Sequence, residues 1–148
     1  MQRQAMSSKK TIKRLKQIQA DSHAMFIKLH SYNWNIEGMN FMAVQNMTEQ
    51  LHDYMARLFN DSAEHIIQLD EKPHVTISEL DKNRQIKDDT VVSVDYKYVA
   101  QNVIHDLNLL KKDFEELEKL SEGNEALLGF AHDNIGFILK EIATIECL

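Results

Sequence analysis

The sequence predicts an all-α protein: a four-helix bundle with a short extra helix in the crossover between the second and third long helices. Three observations carry this. Four Gly and one Pro in 148 residues, against 43% hydrophobic content, are too few turn formers for a many-stranded β protein. Four long segments repeat apolar residues at helical period. Gly38, Pro73 and Gly123 fall at the junctions between them.

The first segment spans about residues 8–36, with Ile12, Leu15, Ile18, Met25, Phe26, Leu29, Tyr32 and Ile36 as its stripe. Gly38 is placed to end it in a left-handed conformation. The second, about 41–70, presents Val44, Met47, Leu51, Met55, Leu58, Phe59, Ile66 and Leu69, and Pro73 is expected to stop it. At 1.5 Å per residue it would be roughly 45 Å long, a length that suits a bundle. Thr76 and Glu79 have capping-box spacing, which predicts a short helix over 77–83. Residues 84–90 read as a polar loop. A third long helix is predicted over 94–121, and Gly123 with Asn124 separates it from a fourth over 125–146, marked by Leu127, Leu128, Phe130, Ile135, Ile138, Leu139 and Ile142. Met6, Met25, Met39, Met42, Met47 and Met55 read as core filler rather than soft metal ligands.

Composition narrows the function. One domain is expected at this length. The lone cysteine, Cys147, excludes an internal disulfide framework and points to a reducing cytoplasm. No apolar run approaches the ~18 residues of a membrane span, and there is no signal-peptide pattern, so no membrane partner is expected. Neither a Gly-rich phosphate loop nor a nucleophile–base motif is present. Residues 1–20 carry Arg3, Lys9, Lys10, Lys13, Arg14 and Lys16, while all 23 acids fall in the remainder. A basic arm on an acidic body suits contact with a polyanion such as DNA; the other reading is a solvated first stretch of helix. The domain layout is therefore a basic, flexible arm over 1–10 and a bundle domain over 11–148.

The candidate site lies on the second segment. Gln45, Glu49, His52, Ala56, Asn60 and Glu64 recur at steps of three or four and share one helix face. The spacing has the geometry of a metal site between bundle helices, yet amides stand where imidazole or carboxylate would be expected. Glu49 and His52 form Glu-x-x-His, which di-iron bundles use to aim two ligands inward. His23, His65, His74, His105 and His132 show no mutual ligand spacing and read as surface or interface residues.

With these residues laid out, the chain resembles the Dps family of mini-ferritins along nearly its whole length. Leu29 to Phe41 (L-H-S-Y-N-W-N-I-E-G-M-N-F), Ser62 to Leu69 (S-A-E-H-I-I-Q-L) and Thr76 to Leu80 (T-I-S-E-L) carry the resemblance, with the short crossover helix. It implies a ferritin-like subunit of a hollow twelve-subunit shell that oxidises Fe(II), preferably with peroxide, stores ferric mineral and in some members binds DNA through basic tails. Iron is the implied cofactor and cargo, and a catalytic sister subunit is a candidate partner beside the homo-oligomer. The family's ferroxidase site lies at a two-fold interface: two histidines and a carboxylate come from one subunit, an aspartate and a glutamate from its neighbour. By register these fall on Asn33, Gln45, Glu49, Asn60 and Glu64. Only Glu49 and Glu64 keep the family's charge; Asn33, Gln45 and Asn60 are amides, weaker and neutral donors for iron. His30, His52 and Asp61 stand close enough in register to build an altered site, or else make ordinary interface contacts. Asp133 falls near where the family lines its acidic three-fold pores, or is an exposed acid on a helix face.

Overall fold

The computed structural model describes the backbone of residues 2–148 and the side chains from residue 9 onward. Five helices follow one another: α1 (Gln2–Asn35), α2 (Phe41–Gln68), α3 (Ile77–Asn83), α4 (Tyr96–Leu120) and α5 (Glu125–Glu146). α1 packs most extensively on α2 and α4 on α5, and the α1–α4 contact joins these two hairpins. α3 packs on α1 and lies within the long crossover from α2 to α4. The predicted bundle with its extra helix is the fold. No helix among the described residues is long and apolar enough to cross a membrane.

The predicted stripes form the core. Leu15, Ile18, Met25, Leu29 and Tyr32 of α1 meet Val44, Leu51, Met55, Leu58 and Ile66 of α2, and Val99, Val103, Leu107, Leu110, Phe114 and Leu117 of α4 close the interior. Some stripe residues lie at the margin instead: Phe26, Leu128, Phe130, Ile135 and Ile142 are half-buried. Phe59 and Leu69 are half-buried at the core margin, and Leu139 is 50% exposed. Met39 and Met42 are 72% and 66% exposed, because they flank the α1–α2 turn rather than the stripe; Met25, Met47 and Met55 do fill the core. Met6 lies outside the described side chains.

Turn chemistry sets the helix ends. Gly38 has φ +83°, a left-handed conformation suited to a residue without Cβ, as its position predicts. α2, however, ends before Pro73 can act. Asp70 at φ +61° turns the chain left-handed, and the N–H groups of Leu69, Asp70 and Glu71 bond back to Ile66 and Ile67 carbonyls. The Thr76 hydroxyl accepts from the Glu79 N–H at 3.2 Å and donates to Glu79 Oε1 at 2.8 Å, starting α3 where predicted. Asp95 and Asn124 cap α4 and α5 by accepting from the Tyr98 and Leu127 N–H groups. A single parallel bridge pairs Ile36 with Val94. The Glu37 N–H donates to Val94 O at 2.9 Å and the Val94 N–H to Asn35 O at 3.2 Å, tying the end of α1 to the approach to α4.

Candidate metal centre

The α2 stripe emerges on the outer side of the α1–α2 pair. Val44, Met47, Thr48, Leu51, Met55, Leu58 and Ser62 claim the buried face, so Glu49, Asn60 and Glu64 are exposed and Gln45 and His52 half-buried. Glu49 and His52 therefore do not aim into the bundle as the Glu-x-x-His pattern suggested. Helical rotation from the buried Leu51 and Met55 carries them to the rim. Asp61 is exposed beside Asn60, and Asp133 is exposed on α5.

The amides are engaged within the subunit. Asn33 Nδ2 donates to Gln45 O at 3.1 Å and to Thr48 Oγ1 at 3.0 Å, stitching α1 to α2. Gln45 Nε2 reaches back to Asn33 O at 3.4 Å. Asn60 Nδ2 donates to Glu64 Oε1 at 3.0 Å, so one of the two retained carboxylates already holds an amide. Thr48, which anchors Asn33, escaped the reading of the sequence. Its signal was a hydroxyl in register with the buried Val44, Leu51 and Met55, a polar residue in an apolar stripe that needs a partner.

His30 and His52 are brought together, though as stacked rings. Their centroids lie 3.8 Å apart at 19°, with Phe26 edge-on to both and Trp34 beside His30. Stacked imidazoles direct their nitrogens side by side rather than toward a common point. His52 Nδ1 lies 3.2 Å from Asp53 Oδ1 without hydrogen-bond geometry. Burial, then the neighbouring His52, holds His30 below the ordinary imidazole range, which favours the neutral ring. Below this pair, His23, Phe26, Ala56 and Phe59 line an apolar recess of about 200 Å³ on the same face. Among the described residues, no three His, Cys, Asp or Glu side chains converge to hold a metal ion.

The remaining histidines scatter. His105 and His132 are exposed and His23 and His65 half-buried, but His74 is buried, with Nδ1 3.3 Å from Glu79 Oε2 and its N–H donating to Gln19 Oε1. It fastens the α2–α3 connection to α1 rather than facing solvent. On the basic segment, Lys9, Lys10 and Lys13 are exposed and Lys16 half-buried. Arg14 is committed elsewhere, donating to Asp113 Oδ1 at 3.0 Å and Gln17 Oε1 at 2.8 Å. The Arg3 side chain lies outside the described residues.

Comparison with known proteins agrees with this architecture. Residues 12–146 match the model of the ferritin-like domain family. A "DNA protection during starvation protein" of Helicobacter pylori is 34% identical over 139 residues, spanning 93% of this chain and 96% of the relative. The crystal structure of Helicobacter cinaedi CAIP is similar with a TM-score of 0.89 and 33% identity, covering 93% of this chain and 97% of that one. A DPS protein from Vibrio cholerae O1, described as one of a broad superfamily of ferritin-like diiron-carboxylate proteins, shares the fold. Its TM-score is 0.90 at 22% identity, covering 96% of this chain and 90% of that one.

Proposed function

The chain belongs to the ferritin-like domain family and to its Dps branch, and from that premise we propose that it is the subunit of a mini-ferritin shell serving iron storage and protection from oxidative stress. The layout of the stripe supports assembly. Glu49 and Asn60 stand roughly 16 Å apart along α2 at 1.5 Å per residue, too far to share one ion within a subunit. A five-ligand site therefore calls for a second copy whose 60–64 segment meets the 33–49 segment of the first. The assembly is a homo-oligomer, a dodecamer in the family pattern. The exposed Lys9, Lys10 and Lys13 give its surface a basic patch for non-specific DNA contact.

Iron is the cargo of such a shell, and the donor set does not fit a working ferroxidase centre. A di-iron site needs anionic oxygen and imidazole donors to offset the charge of two cations. Here two carboxylates remain, and Glu64 is already bonded to Asn60. The observation that carries the reading is the engagement of Asn33, Gln45 and Asn60 in hydrogen bonds that need no cation. The shell thus stores and protects without rapid iron oxidation at this interface. A sister subunit carrying the missing ligands would complete the site across the same contact.

The purified protein, sized and then given Fe(II) and peroxide, tests this. A shell mass with oxidation no faster than buffer is expected. Asn33→His, Gln45→His and Asn60→Asp together should raise the rate roughly tenfold or more. Wild-type oxidation well above buffer would overturn the inactive site, and a single-subunit mass would overturn the shell.

A further inference from the structure

The α1–α4 seam, away from the stripe, holds two buried carboxyls that face each other. Asp21 of α1 is fully buried and Asp113 of α4 is 1% exposed. Asp21 Oδ1 accepts from the backbone N–H groups of Gln85 at 2.7 Å and Ile86 at 3.1 Å, holding the crossover segment against the bundle. Asp113 Oδ1 accepts from Arg14 Nη1 at 3.0 Å. Each carboxyl then has one oxygen left, Asp21 Oδ2 and Asp113 Oδ2, and both are buried with no donor. The two side chains interact across the seam, and one proton between them would give both orphaned acceptors a partner.

We propose that Asp21 and Asp113 share a single proton across the α1–α4 seam, and that this proton fastens the 85–86 segment of the crossover to the bundle, making the seam an alkaline-sensitive latch. Asp113 carries the proton and donates it to Asp21. The ionised Asp21 then accepts from Asp113 and from the Gln85 and Ile86 N–H groups, while Asp113 Oδ1 still accepts from Arg14. Every polar atom of the pair has a partner in that state. Loss of the proton places two charged carboxylates face to face in a buried seam.

The surrounding charges decide how firmly the proton is held. From α1, Arg14 pairs with Asp113 and opposes protonation. From α4, Asp106 faces Asp21 with its charge offset by Lys28 at 2.7 Å. From the crossover, the Gln85 and Ile86 N–H groups reach Asp21. Lys112, Glu115, Glu116, Glu118 and Lys119 of α4 line the open pocket of about 570 Å³ that reaches Asp113. Burial pushes both carboxyls up, and Asp113, facing the charge of Asp21, is pushed up to about 8 despite Arg14. A group raised in the folded state stabilises it fully below its unfolded value of about 3.9 and loses that contribution as pH rises through about 8.

Amide exchange at Gln85 and Ile86, corrected for intrinsic rates and compared between wild type and Asp113→Asn, tests the latch. The amide that replaces the carboxyl keeps an acceptor for Arg14 and a fixed donor for Asp21. Wild-type protection should fall by up to tenfold per pH unit between pH 5 and 8 and level off above that; the variant should show no such slope. The same slope in both proteins would overturn the proposal. Infrared spectroscopy of the wild-type shell needs no variant to fold. A protonated-carboxyl C=O band at pH 6.5 that disappears by pH 9.5 supports the shared proton. Absence of that band at pH 6.5, or a bound cation in its place, overturns it.

Discussion

Lys28 Nζ and Asp106 Oδ2 meet at 2.7 Å with side chains only 9% and 4% exposed, a buried ion pair. Lys28→Met alone leaves the buried carboxylate with only the longer His105 Nδ1 contact at 3.4 Å and should cost about 3 kcal/mol. Adding Asp106→Leu should recover most of that loss. Urea midpoints at matched protein concentration check the cycle, and a double variant no more stable than the single would show that the pair acts by more than mutual charge. The exposed stripe shows how far single residues are legible. Asn33, Gln45, Glu49, Asn60 and Glu64 could be placed on a shared face by period alone. The direction in which each amide spends its hydrogens could not, because that depends on Thr48 and on the Gln45 and Asn33 carbonyls brought near by packing. Asp21 and Asp113 were invisible for a similar reason: they lie on different helices, and no local pattern links them.

α3 has seven residues, far below the length at which an isolated helix holds together in water. It persists because Leu80 is buried, Thr76 caps its start, and His74 and Gln19 fix the preceding connection to α1. Thr76→Ala should remove about 1 kcal/mol of local stability. Amide exchange in α3 should then quicken roughly fivefold while α2 and α5 keep their rates. Unchanged exchange in α3 would show that burial of Leu80 suffices. The same helix was fully legible, since Thr76, Glu79 and the apolar Ile77 and Leu80 are all local signals. α5 was equally clear from Asn124 at its start. The end of α2 was not. Pro73 is the stronger breaker in sequence, but Asp70 enters the left-handed region first, a choice made by the carbonyls of Ile66 and Ile67.

Across the whole molecule, basic and acidic surfaces are separated along the chain. Lys9, Lys10 and Lys13 are exposed near one end of α1, ahead of a body that carries all 23 acids. Arg14 drops out of that patch, because it holds Asp113. Replacing Lys9, Lys10 and Lys13 by Gln should weaken a salt-sensitive DNA gel shift and flatten its salt dependence, since each lost phosphate contact lowers the slope. A shift retained undiminished at equal salt would remove DNA contact from this surface. The apolar exposure is just as unevenly placed. Trp34, Met39 and Met42 cluster where α1 turns into α2, next to the stripe that would complete its site with a second copy. The bridge between Ile36 and Val94 bears on the same architecture. Because Val94 is anchored to the end of α1 and the 85–86 segment to Asp21, the stretch between them is pinned at both ends. Residues added at the exposed 90–93 stretch would cost only slowly rising loop entropy and need not shift α1 against α4. The 90–93 stretch is therefore where the crossover can change length while His74, Leu80 and the 85–86 segment keep their hold on the bundle.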